Sequence, residues 1–372
     1  MAVYKIFPDK DSFIYTENVT GNAGYDEMLE VGGYPVSEIG QTSRILVNFN
    51  TVAIDDVITN KVGNSSYRAN IKLALASAYE LPVTHSIYAY PLYESWDGGT
   101  GKFADLPVDK SGVTWRYKKA GNTGHWTTPD NTVNMPDFVT CSYNSTFIGG
   151  GTWYTASNGF NVESIETFET SDDIDINIDV TTAIGLIQTG SLINNGFILK
   201  LEDELEFNTT SSIRLKYYSS NTNTIYPPSL EFKWDDSTYD STGLPILGTD
   251  LNTIKLQNNK GYYVNSGVQR FRLHARPKYP PRTFTTSSIY KTNYALPQTT
   301  YWGIRDEFTE EMVVNFDTEF TKVSCDNSGS FFDVYMEGLQ PERYYRLLVK
   351  SEIDGTTVVV NDNNVFKVVR NG

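Results

Sequence analysis

The sequence predicts an all-β protein made of two antiparallel β-sandwiches in series, the second smaller than the first. Three observations carry that expectation. Apolar residues recur at period 2 in short runs, as a strand with one buried face requires. Gly, Asn, Asp, Ser and Thr separate the runs, the composition of tight turns. Aromatic residues make up 13% of the 372 residues, with 25 Tyr, 19 Phe and 6 Trp, the side chains a pleated surface accommodates best.

Taken in order, strands are expected over residues 12–16, 28–32, 44–49, 71–76 and 86–92. Residues 94–160 are turn-rich and irregular, and they hold four of the six tryptophans. They read as an excursion anchored over the sheet by its indoles, or as a binding face. Residues 173–179 alternate acid or Asn with Ile174, Ile176 and Ile178, so one strand face is apolar and the other acidic. Residues 180–187 form the one helix the sequence predicts, with Thr181 or Thr182 near its N-cap. Strands resume at 196–201, 213–218 and 229–234, closing a first domain over 1–236. Residues 237–250 are polar and punctuated by proline, and read as a linker. The second domain, 251–372, has strands at 269–277, 311–316, 331–336, 344–350 and 364–369. Its Pro/Tyr-rich segment 277–302 is expected outside the central sheet, because proline lacks the ladder donor.

Charge and composition exclude several function classes. A net charge of −15 disfavours nucleic acid, whose phosphates are met by clustered Lys and Arg. No run approaches the roughly 20 apolar residues of a membrane helix. Cys141 and Cys325 are too few for a disulfide framework. The opening residues show no signal-peptide pattern, so synthesis in a cytoplasm without that export route is expected. His85, His125 and His274 are scattered, no Gly-x-Ser-x-Gly elbow occurs, and Cys141 lacks a nucleophile's context. Gly149, Gly150 and Gly151 lack a following Lys-Ser/Thr and read as a flexible turn. The chain is therefore expected to be no enzyme and to hold no cofactor.

The candidate sites are contact surfaces. Trp96, Trp115, Trp126 and Trp153 would suit either a glycan face or a protein interface. Glu94 and Asp97 flank Trp96 as in a sugar subsite, against the alternative that Trp96 plugs the sandwich end. Tyr279, Tyr290, Tyr294, Tyr301 and Trp302 would suit an extended arm packed on a neighbour. Asp173, Asp175 and Asp179 offer oxygen ligands at a spacing that could take Ca²⁺, or simply form a solvated face.

Five segments in order give the first domain a family likeness. They are Asn22-Ala23-Gly24-Tyr25, Ser43 to Phe49, the pair Trp96 to Gly101 and Gly112 to Trp115, Ile178 to Thr181 with Asn194 to Lys200, and Leu215 to Ser220 with Ile225 to Phe232. Together they resemble the DNRLRE-type module, a jelly-roll β-sandwich grouped with carbohydrate-binding modules. The run Gly338-Leu339-Gln340-Pro341-Glu342-Arg343-Tyr344-Tyr345 resembles the end of a fibronectin type III or immunoglobulin-like sandwich. There a Leu-x-Pro turn precedes a strand whose tyrosine anchors a corner, a part Tyr344 or Tyr345 would fill. A leaderless jelly roll followed by such a module resembles a virion structural protein of a tailed bacteriophage. The resemblance implies a virion location in the neck, collar, baseplate or head-fibre region, with other virion proteins and copies of itself as partners. The alternative is a carbohydrate-binding module that adheres to a glycan surface.

Overall fold

The computed structural model describes residues 2–36, 39–128, 138–142, 146–155, 162–169, 172–282, 288–361 and 364–370. It is all-β, with 45% strand against 8% helix, in several antiparallel sheets. The chain divides into two units: Ile6–Lys61 with Arg68–Glu231, and Met1–Lys5 with Val62–Tyr67 and Phe232–Gly372.

In the first unit an eight-stranded sheet runs in the order Ser164–Glu169, Thr84–Pro91, Phe197–Leu201, Ile39–Asn48, Met28–Val36, Ile213–Tyr218, Leu75–Tyr79. Lys10–Tyr15 also pairs with Ile39–Asn48, Phe13 opposite Ile45. The central strand is apolar on both faces, and Ile45, Leu46 and Val47 are fully buried, the pattern of a strand covered on two sides. The acid-isoleucine run forms the strand Ile176–Asp179, antiparallel to Tyr67–Leu73 with Ile178 opposite Ile71. Its alternation is as expected: Ile176 and Ile178 are buried, and Asn177 and Asp179 exposed.

The expected helix α2 spans Thr181–Gln188. Asp179 stands before it and accepts from the Thr181 amide (2.9 Å) and hydroxyl (2.6 Å). A second helix, α1, covers Thr51–Asp56, where none was predicted. Asn50 caps it, accepting from the amides of Val52 and Ala53 at 2.8 and 3.3 Å.

The second unit has two sheets. One runs Asn252–Gln257, Val268–Pro277, Gly329–Tyr335, Ser324–Asp326. The other runs Tyr262–Val264, Val365–Val369, Tyr344–Ile353, Thr300–Asp306, Met312–Val314, with Thr356–Val360 also on Tyr344–Ile353. The pairing of Tyr262–Val264 with Val365–Val369 is parallel. Phe271, Leu273, Trp302, Ile304, Phe332 and Phe366 belong to its core, with Val3 from the start of the chain. Tyr345 is buried and donates its hydroxyl to the Gln340 carbonyl at 3.0 Å, while Tyr344 is 41% exposed.

Two expectations differ here. Residues 237–250 are no free linker. The Thr238 carbonyl accepts from Cys325, Asp240 donates to the Cys325 carbonyl, and Leu247 donates to that of Ala295, each at 2.9 Å. The segment 277–302 is not all arm, since its end enters the strand Thr300–Asp306, paired in full with Tyr344–Ile353. Its prolines lie before that strand, so the ladder keeps its donors. Residues 283–287 lie outside the described residues.

Candidate functional site

The four loop tryptophans are core rather than surface. Trp96, Trp115, Trp126 and Trp153 are each at most 3% exposed. They form one cluster with Ile14, Leu46, Tyr90 and Ile198 from the strands of the eight-stranded sheet, and with Leu92 just beyond one of them. Three indole N–H groups find backbone carbonyls: Trp96 at Asn195 (2.9 Å), Trp115 at Phe147 (3.1 Å) and Trp126 at Thr114 (3.1 Å). A buried indole donates in this way so that its one polar atom is not stranded. Rings held like this meet neither a sugar nor a neighbour, which corrects their assignment as contact residues. Glu94 and Asp97 are likewise engaged: Glu94 takes Lys118 and the Thr127 amide and hydroxyl, Asp97 the Ala120 amide.

Beneath the tryptophans lies a charged group with no solvent exposure. Arg44 forks onto Glu206, Nε to Oε1 at 2.7 Å and Nη2 to Oε2 at 2.8 Å. Its remaining donors reach the carbonyls of Gly150 (2.5 Å) and Ser142 (2.7 Å). The guanidinium lies 4.8 Å from the Trp115 ring and 5.2 Å from the Trp153 ring, within cation–π range. Lys200, also buried, adds a contact to Glu206 at 3.2 Å. Gly150 is fixed rather than flexible: its φ is +89°, and a Cβ there would sit 2.6 Å from Trp115 and 2.7 Å from Arg44 Nη1. The sequence signal for this group was a lone arginine opening an apolar strand, which calls for a buried counter-charge.

The aspartates do separate structural work. Asp175 accepts from the Leu75 amide (2.7 Å), Asp173 lies 3.4 Å from the Asp175 amide, and Asp179 serves α2. Among the described residues no three His, Cys, Asp or Glu side chains converge as a metal site.

His125 is exposed, with its ring 4.5 Å from that of Tyr117. His85 is 3% exposed and stacks on Phe168 at 5.2 Å, and neither ring nitrogen has a hydrogen-bond partner. Burial pushes its pKa below the usual 6.5. It lines a small open cleft of about 120 Å³ with Leu81, Pro82, Val83, Glu169, Asp172 and Ile174. Cys325 is buried and its thiol pKa is pushed up by that burial.

The five aromatic candidates of the second unit split two ways. Trp302 is 1% exposed and stacks on Phe332 at 5.1 Å. Tyr301 shares its strand, and Tyr294 packs against the core. These three are structural, because the chain around them is in the sheet or against it. Tyr279 and Tyr290 are 74% and 56% exposed. Arg276 lies 5.0 Å over Tyr290, and Lys278 5.8 Å over Tyr279.

No family model matches the chain, and no curated protein is similar to it. The surface around Tyr279 and Tyr290 is therefore judged by its chemistry alone. Two exposed tyrosines beside arginine and lysine offer flat apolar area, a hydroxyl each and positive charge, a combination suited to docking.

Proposed function

We propose that this chain is a non-enzymatic structural component of a tailed-phage virion, of the neck, collar, baseplate or head-fibre region, acting through protein–protein interfaces. One observation carries the reading. The aromatic residues a glycan binder would display are buried around Arg44, and the exposed aromatic pair stands instead with Arg276 and Lys278. Each aromatic ring buried against a neighbour contributes binding through area rather than turnover.

The strand orders support the module assignments. In the second unit one sheet runs in the order A, B, E, D of an immunoglobulin-like sandwich, and the other carries its G, F and C strands as neighbours. The Tyr345 hydroxyl on the Gln340 carbonyl suits that fold's tyrosine corner. The non-sequential order of the eight-stranded sheet suits a jelly roll. The carbohydrate-binding alternative would have to use exposed aromatics such as Tyr279 and Tyr290, or Tyr25 and Tyr79 in the first unit, as its platform.

The test is whether the chain is present in particles purified from a lysate of its host. A structural subunit gives a gel band in a fixed multiple of the other particle proteins and is not retained on a glycan array. Absence from particles, with glycan retention lost in Tyr279→Ala, would favour the alternative.

A further inference from the structure

The net charge is unevenly divided along the chain. Residues 1–231 hold 28 Asp and Glu against 14 Lys and Arg, whereas residues 232–372 hold 17 against 16. Nearly all the net charge of −15 therefore belongs to the first stretch.

Within the near-neutral second stretch, positive charge is gathered on one sheet face. Along Val268–Pro277 the residues Phe271, Leu273 and Ala275 enter the core, so Arg270, Arg272, His274 and Arg276 share the outer face. Arg270 is matched by Asp333 at 2.9 and 2.8 Å, and Arg272 by Asp326 at 3.0 and 2.7 Å. The far end of the face is different. Arg276 meets no carboxylate among the described residues; its Nη1 donates to the carbonyls of Pro277 (3.0 Å) and Lys278 (3.4 Å). Lys278 is exposed two residues on, and Lys291 is exposed next in sequence to Tyr290, over which Arg276 lies. This end thus carries unmatched cations together with exposed Tyr279, Tyr290 and Leu251.

The first unit holds the opposite surface. Glu202, Asp203 and Glu204 follow the strand Phe197–Leu201, and Glu163 precedes the edge strand Ser164–Glu169. They stand around the stacked rings of Tyr88 and Tyr90: Glu163 meets the Tyr90 hydroxyl, and Lys200, the partner of Asp203, lies 5.9 Å over the Tyr88 ring. The Tyr88 hydroxyl is raised first by burial and then by Glu163, Glu202, Glu204 and Asp203 in turn. Glu202 is raised by burial and by Glu204. Exposed Ile165, at 49%, gives this rim an apolar element as well. Asp203 has Lys200 at 2.6 Å, while Glu163 accepts, among the described residues, from the neutral hydroxyl of Tyr90 at 2.7 Å.

From this complementarity we infer that copies of the chain associate head to tail. The end face of Arg276, Lys278, Tyr279, Tyr290 and Lys291 in one copy docks on the rim of Glu163, Glu202 and Glu204 in the next. The inference rests on the proposed structural role and names the partner as a second copy. Because the two patches differ, the contact is heterologous: repetition gives a ring where the rotation closes and a filament where it does not. Opposite potentials steer the encounter and set its register, while the tyrosines and Ile165 exclude water.

Sedimentation of the full chain at about 0.05 M and about 1 M NaCl tests this, since screening shortens from roughly 14 to 3 Å over that range. Species heavier than the 41.8 kDa chain are expected at low salt and are lost at high salt. Arg276→Glu/Lys278→Glu/Lys291→Glu and Glu163→Lys/Glu202→Lys/Glu204→Lys should each weaken association at least about 100-fold. A mixture of the two variants should recover it, because each supplies the face the other has reversed. Recovery in the mixture also shows that both variants are folded, and Arg276→Gln/Lys278→Gln gives a milder reading of the same loss. Association that survives both salt and reversal overturns the inference, as does a mixture that stays apart. A chain that remains at monomer mass yet binds a polyanion such as heparin through this face overturns it too. The structural role is read separately: a chain present in particles but monomeric in solution removes only the head-to-tail contact. A self-associating chain absent from particles removes only the role.

Discussion

The guanidinium of Arg44 holds both carboxylate oxygens of Glu206, 162 residues downstream, with neither side chain reaching solvent. A buried pair of this kind gains little net stability over an apolar pair, but breaking it on one side strands a charge. Arg44→Met should therefore destabilise the first unit by about 3–5 kcal/mol. Arg44→Met/Glu206→Met should recover part of that loss. Urea midpoints of the two variants against the parent chain check both statements.

Of two adjacent tyrosines, only one is tied inward. Tyr345→Phe removes the bond to the Gln340 carbonyl and should cost about 0.5–1.5 kcal/mol, whereas Tyr344→Phe should be neutral within about 0.5 kcal/mol. Thermal melts of the pair provide the comparison. Equal losses would remove Tyr345 from the corner.

His85 makes the first unit sensitive to acid. Its pKa is lowered in the folded chain by burial, whereas the unfolded chain titrates near 6.5. The unfolded state thus takes up the proton first, so the stability is full above pH 6.5 and is lost as the pH falls toward the folded-state value. His85→Phe keeps the stack on Phe168 and removes the titration. Its melting temperature should drop less than that of the parent between pH 7.5 and 5.5.

The tryptophans and the exposed tyrosines should separate cleanly in a stability scan. Trp153→Ala should cost about 3–5 kcal/mol through the cavity it leaves. Tyr279→Ala should leave stability within about 0.5 kcal/mol and change only association. Chemical denaturation followed by tryptophan fluorescence measures the first, sedimentation the second.

What the sequence made legible was what depends on local pattern. Period-2 alternation located Ile176 and Ile178 on a buried face, and the strand-to-helix step at Asp179 was visible in residue order. The helix Thr51–Asp56 was missed because six residues give too short a periodic signal, although Asn50 was a cap in plain sight. For the loop tryptophans the anchoring alternative agrees with the structure and the binding-face alternative does not, since irregular backbone need not be surface. Here that backbone supplies a second apolar layer, with Arg44 as its buried anchor. The unit boundary was read from composition at 236–237 but falls at 231–232, and Met1–Lys5 belong with the later residues. No window-based signal reports pairings hundreds of residues apart. Tyr279 and Tyr290 were legible as contact candidates, but the charge beside them was not: Arg270 and Arg272 look like Arg276 in sequence, and only their pairing with Asp333 and Asp326 tells them apart.

The place of Phe197–Leu201 in its sheet governs the order of assembly. This strand lies between Thr84–Pro91 and Ile39–Asn48, both synthesised long before it. Until it emerges from the ribosome the two earlier strands have no partner on that side, and Arg44 has no Glu206. The centre of this sheet therefore closes only after about residue 206 is available, and Ile213–Tyr218 must still follow to pair with Met28–Val36; before that the nascent chain exposes two unpaired, strongly apolar edges. Such late closure over long separations is slow and prone to misassociation. The late arrival of this one strand thus makes the nascent chain, rather than the finished fold, the state most exposed to misassociation.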